Sequence, residues 1–189
     1  MTVVFSTSSP WVSVAIFDED GRLLGSVARQ ARMNASAAAL SLLEHLMAEH
    51  HFRLQDCRAL IADVGPGSFT GTRVAVTIVK TLGYSLGVVT RGITAFDLIS
   101  CDNTVYVPCK REEFFVREIG KEPRITTSVP EQSVGYGIPG TTDLYPLAER
   151  LCTNCRLLEF APEALVPIYI APPSISLPKD PRTLGGPHA

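Results

Sequence analysis

Apolar residues fall in short runs at the start of the chain and recur every three or four positions further in. Thr2–Ser6 and Val12–Asp18 read as two strands, the second turning Ser13 outward among inward apolar residues. Asp18-Glu19-Asp20-Gly21 supplies the positive-φ position of a hairpin, and Arg22–Arg29 reads as a third strand. Asn34 or Ser36 is the candidate N-cap of a helix over residues 37–50. Ala59–Val64 is a short buried strand. Val74, Ile78, Leu82 and Leu86, flanked by Ala75 and Val79, set a helix over 72–86. Val88–Gly92 is a further strand, and Ala95–Ser100 opens another helix. This order, βββαβα, predicts an α/β domain over residues 1–100. Beyond it the pattern weakens. Residues 103–118 alternate in part, with Phe114–Val116 as a strand core, and 120–145 are rich in Gly, Pro, Ser and Thr. Leu144–Leu151 reads as a short helix. A smaller second domain over 101–170 and a flexible, proline-rich tail over 171–189 are expected.

Composition narrows the picture. Hydrophobic residues make up 46% of the 189 and charged ones 19%, enough apolar material for a core. The net charge of -2 gives no basic footprint for nucleic acid. The first residues lack the basic and long apolar segments of a signal peptide, and no apolar run reaches the length of a membrane span, so a cytoplasmic protein without membrane contact is expected. Five cysteines do not suggest a disulfide framework. Cys152 and Cys155 form one C-x-x-C. With no second such pair, and with Cys101 and Cys109 at undiagnostic spacings, no metal site is expected.

The run Gly65-Pro66-Gly67-Ser68-Phe69-Thr70-Gly71-Thr72-Arg73 joins a strand to a helix N-terminus, where backbone N–H groups and the helix dipole favour an anion. It is not a P-loop, because Thr72 rather than Lys follows Gly71. It is not a dinucleotide fingerprint, because its spacing is G-x-G-x-x-x-G. Spacing alone leaves two readings open: a tight structural turn, or a loop formed by Gly65, Gly67, Ser68, Phe69, Thr70 and Gly71 around a nucleotide or phosphate. A protease is excluded. Ser68 is not in a G-x-S-x-G context, and Glu44-His45 lacks the second His of a zinc protease.

The G-P-G-S-F-T-G-x-R string, placed after a strand and opening a helix, resembles the signature of the bacterial TsaB (YeaZ) family. Val3–Ser9 resembles that family's first strand, where a hydrophobic run usually leads into Asp-Thr-Ser. Trp11–Phe17 is similar to its second strand and Leu42–Glu49 to its first helix. Val107–Phe115 and Val166–Ile170 resemble later segments more loosely. The likeness is strong over residues 1–100 and weak beyond.

This resemblance implies an actin-like (ASKHA, ribonuclease-H-like) N-terminal domain with a smaller, divergent second domain. It implies a non-catalytic subunit in the making of threonylcarbamoyladenosine in tRNA, which binds and activates the catalytic relative TsaD. TsaE is a further expected partner, and tRNA is reached only through the complex. No cofactor is expected beyond ATP or ADP at the partner interface. The family's two N-terminal helices form a bundle with TsaD or with a second copy. That places the partner interface on Ala39, Leu42, Leu43, Leu46, Met47, Val74, Ile78 and Leu82, since both helices carry apolar residues on more than one side. The chain departs from the family at Ser6, where the fold normally carries an Asp, and at Asn34-Ala35-Ser36-Ala37, where the family often reads His-Ser-Glu. The alternatives are an independent ATP-dependent enzyme of the sugar-kinase type and a homodimeric scaffold without a tRNA role. Ser6 argues against the enzyme, since a hydroxyl cannot replace a carboxylate near pH 7.

Overall fold

The computed structural model describes residues 1–31, 34–110, 112–152, 155–160 and 164–170. The most apolar segments become the centre of the fold. Strands β1 (Thr2–Ser6) and β4 (Ala59–Asp63) run parallel, side by side. On one side β2 (Trp11–Phe17) and β3 (Leu23–Gln30) extend the sheet antiparallel. On the other, β5 (Val89–Ile93) adds a parallel strand. Strand β10 (Leu158–Phe160), from the far end of the chain, pairs antiparallel with β5 and completes a six-stranded sheet.

Strand alternation sorts side chains to the two faces. Val3, Phe5, Val14, Ile16 and Leu60 point to one face, which helices α1 (Ala35–Glu49) and α2 (Phe69–Leu86) cover. Val4, Ala15, Phe17 and Ile61 point to the other, where helix α3 (Ala95–Ile99) and a single 3-10 turn at Ala148–Arg150 cover them. A sheet buried on both faces explains why β1 and β4 read as near-continuous apolar runs. The second sheet comprises β6 (Val105–Pro108), β7 (Phe114–Arg117), β8 (Arg124–Thr126) and β9 (Val134–Gly135), in the order β8-β7-β6-β9. Helix α3 joins the two cores. Its Leu98 packs on the first sheet, while Phe96 and Ile99 pack with Val105, Val107 and Phe115 of the second.

Several local expectations need correction. Ser13 is buried, not outward, because the Ala148 turn lies over it and the Ala148 N–H donates to its Oγ at 2.8 Å. The helix expected over 144–151 shrinks to that one turn. Pro146 interrupts it, lacking an N–H and disfavouring helical geometry at Tyr145. Helix α2 begins at Phe69 rather than Thr72, because the Ser68 side chain accepts from the Gly71 N–H and caps it three residues earlier. Asn34 does precede α1, but in the left-handed conformation and with no side-chain cap bond. The tail expected from 171 lies outside the described residues.

The glycines of the 65–71 run have a packing role. An added Cβ at Gly71 would overlap the carbonyl oxygen of Thr7, and one at Gly67 the carbonyl oxygen of Ser8. Gly65 holds φ at +91°, which side-chain-bearing residues avoid. These glycines let the segment after β1 lie directly on the first turn of α2. There Thr7 Oγ1 donates to the Gly71 carbonyl at 2.6 Å and accepts from the Ala75 N–H at 3.1 Å. Gly71→Ala is expected to destabilise the chain by about 1–3 kcal/mol, through overpacking in a contact that cannot relax without moving β1. Urea denaturation against wild type measures this, and an unchanged midpoint would refute the close-approach role.

Candidate functional site

A cleft of about 1000 Å³ opens between the loops of the first sheet and the second sheet. Its walls include Thr7, Ser8, Gly67, Phe69, Lys110 and Tyr136. The expected loop residues Gly67, Ser68, Phe69, Thr70 and Gly71 all line it. Gly65 lies behind, its N–H donating to Asp63 Oδ1 at 2.9 Å and its carbonyl accepting from Ala95 N–H. Part of the donor capacity that would make this loop an anion seat is committed within the chain. The Ser68 N–H donates to the Ser8 carbonyl, the Gly71 N–H to Ser68 Oγ, and the Thr72 N–H to the Ser68 carbonyl. At the cleft's edge the Arg73 guanidinium lies 4.0 Å over the Phe69 ring, and its Nε donates to Tyr169 Oη at 3.1 Å.

Behind the loop sits a residue that sequence reasoning missed. Asp63, at the end of β4, is fully buried. It accepts from the Gly65 N–H, and its Oδ2 is within hydrogen-bond distance of Ser6 Oγ (2.7 Å) and of Ser8 Oγ. Ser6 Oγ also touches the Pro146 carbonyl oxygen. A hydroxyl has one proton, so the Ser6 O–H is shared between the Asp63 carboxyl and the Pro146 carbonyl oxygen. Burial pushes the Asp63 carboxyl above the usual carboxylate range, against the hydrogen bonds from Ser8, Ser6 and Gly65. Tyr136 is likewise pushed up, by its burial and by the nearby Asp63. Ser6 and Asp63 thus form a buried latch joining β1, β4 and the segment at Pro146. One signal was legible: a carboxylate closing an otherwise apolar strand just before the glycine run.

The residues expected at a partner interface divide. Ala39, Leu42, Leu43, Leu46 and Ile78 are buried in this chain's own core, while Met47, Val74 and Leu82 are only partly buried beside it. The outer surface of the two helices instead carries Leu40, Phe69, Thr77 and Tyr84. A shallow groove of about 290 Å³, lined by Ser36, Phe69, Arg73, Val74 and Thr77 among others, runs between them. Adjacent His50 and His51 separate at the end of α1. The His50 ring packs where a side chain at Gly25 of β3 would stand, and His51 turns into the left-handed region.

The structure also brings Cys101 to the C-x-x-C pair. The Cys152 and Cys155 sulfurs are 3.3 Å apart, and Cys101 Sγ lies 3.7 and 3.5 Å from them. Cys109 is not part of this group. Burial pushes the Cys101 thiol up to about 11, and Cys155 is raised for the same reason.

The three-strand meander, parallel β4 and β5, and helices on both faces define the actin-like (ASKHA) class. Two solved structures share this fold. A Pseudomonas aeruginosa protein described as similar to peptidase YeaZ superposes with a TM-score of 0.74 at 18% identity, covering 90% of this chain and 99% of that one. YeaZ from the same organism gives 0.73 at 19%, covering 89% and 99%. The family model for TsaD, tRNA N6-adenosine threonylcarbamoyltransferase, matches residues 19–107. An uncharacterized protein of Mycobacterium leprae is 23% identical over 213 residues, covering 98% of this chain and 59% of its own length. The tRNA threonylcarbamoyladenosine biosynthesis protein TsaB of Bacillus subtilis is 26% identical over 103 residues, covering 54% and 44%. The chain thus spans about half the length of these two relatives. An uncharacterized Mycobacterium tuberculosis protein is 24% identical over 195 residues, covering 90% of this chain and 92% of that protein. In sequence the chain is similar to the TsaD family model and to B. subtilis TsaB, and in fold to YeaZ. Among the described residues no helix is long and apolar enough to cross a membrane.

The latch has a pH signature. A carboxyl whose folded-state value is raised binds its proton more tightly folded than unfolded. Its contribution is most favourable below the unfolded value, about 4, and is lost as pH rises through the window up to the raised one. Asp63→Asn keeps an acceptor for Gly65 and supplies a permanent donor for Ser6. Denaturation at a series of pH values should show this variant gaining on wild type as pH rises, by about 1.4 kcal/mol for each pH step of one within that window. A variant that loses ground as pH rises would show that Asp63 is held as a carboxylate.

Proposed function

We propose that this chain is a non-catalytic subunit in threonylcarbamoyladenosine formation in tRNA, docking on a TsaD-type transferase through α1 and α2. The observation that carries the reading is the pairing of an actin-like fold with the Ser6–Asp63 latch. In catalytic members of the fold the end of strand one holds an acid for metal and nucleotide phosphates. Here that place holds a serine, and the neighbouring carboxyl is buried and turned inward on two hydroxyls and a backbone N–H. The likeness to the B. subtilis TsaB and the match to the TsaD model support the same assignment. The chain's net charge of -2 fits access to tRNA through a partner. Any nucleotide of the complex would meet this chain at the cleft face of residues 67–71.

The docking surface is the exposed side of the two helices, Leu40 and the groove around Phe69, Val74 and Thr77, rather than the buried positions. A charge at Leu43 or Leu46 would break this chain's own core before it touched a partner. TsaE joins the complex in this reading.

Threonylcarbamoyl transfer to tRNA by the cognate TsaD, with TsaE and the activated donor, is expected to require this chain. Leu40→Arg and Thr77→Arg should each weaken association with TsaD by at least about tenfold while leaving the thermal transition of the isolated chain unchanged. Transfer that proceeds equally well without the folded chain would overturn the subunit role. Full co-purification of both folded variants would overturn the docking face alone.

A further inference from the structure

The cysteine group at the end of α3 has no part in the docking reading. Cys101 follows α3, whereas Cys152 and Cys155 follow the Ala148 turn, so chain segments about fifty residues apart converge on one point. The three sulfurs are 3.3, 3.5 and 3.7 Å from one another. A disulfide would need about 2.05 Å and would use only two of them. A tetrahedral zinc ion with Zn–S bonds of about 2.3 Å sets its sulfurs about 3.8 Å apart. The observed triangle is within about half an ångström, edge by edge, of one face of that tetrahedron.

We propose that Cys101, Cys152 and Cys155 form a three-thiolate site for a zinc-type divalent ion. Soft thiolate donors in tetrahedral array select such an ion over hard cations. The Asp97 carbonyl oxygen, 3.5 Å from Cys101 Sγ and 3.7 Å from Cys155 Sγ, faces the same space. It or a water takes the fourth position. Cys152 is exposed and the other two are partly so, which gives the ion a path in. On binding, three S–H bonds break, three metal–sulfur bonds form and three protons leave to solvent. The ion would then clip the two segments together beneath the first sheet.

The test uses the full chain, reduced and stripped with a chelator, and titrated with Co²⁺ under a non-thiol reductant. One Co²⁺ per chain should bind with thiolate charge-transfer absorption and the visible bands of a tetrahedral site, and one Zn²⁺ should displace it. Cys101→Ser and, at the exposed position, Cys152→Ser should each weaken binding by at least about tenfold, and Cys109→Ala should not. The proposal is overturned if the reduced chain takes up no Co²⁺. It is equally overturned if uptake is indifferent to Cys101→Ser in a folded variant, or if Cys152 and Cys155 form a disulfide that persists under the reductant in place of metal uptake.

Discussion

The fold depends on how closely the segment leaving β1 approaches the first turn of α2. Main chain meets main chain there, at Gly67 against Ser8 and Gly71 against Thr7, with no room for a Cβ between them. Contact at that range places Thr7 Oγ1 between the Gly71 carbonyl and the Ala75 N–H, and sets Ser6 and Ser8 around Asp63. If β1 moved outward, both the first turn of α2 and Asp63 at the end of β4 would lose partners. The glycine run therefore acts first as a spacer of zero width. Three of the loop's backbone N–H groups, those of Ser68, Gly71 and Thr72, are already bonded within the chain.

The elements were legible where one physical signal dominated. Fourfold recurrence of Val74, Ile78 and Leu82 gave α2, and the unbroken apolar runs of β1 and β4 marked the centre of a sheet covered on both faces. Contacts set by distant chain were not legible. Ser13 looked solvent-facing because nothing local reveals that residues 148–150 fold over it. Leu42, Leu43 and Leu46 looked available to a partner because α1 is apolar around more than half its circumference. The core takes up that width from two directions, the sheet and α2. Asp63 escaped notice because a carboxylate at a strand end is ordinarily a solvated turn residue. Besides the Gly65 N–H, the hydroxyls of Ser6 and Ser8, more than fifty positions away, make its burial tolerable. Cys101 joined the C-x-x-C for the same reason: its spacing in the chain carries no trace of its spacing in the fold.

Within the actin-like class, catalysis uses charge held open at the bottom of a cleft. Here a carboxyl behind the cleft's glycine loop, Asp63, holds strand ends together: the hydrogen bonds around it join the ends of β1 and β4.

The chain leaves the first sheet after α3, builds the second sheet, and comes back at Pro146 and the Ala148 turn to lie on the same face it left. The second sheet is thus an insertion with a narrow neck, its two ends brought side by side where Cys101 meets Cys152. An insertion closed at its base can grow, shrink or be rebuilt in evolution with little effect on the parent sheet, since the cost of a longer loop rises only with the logarithm of its length.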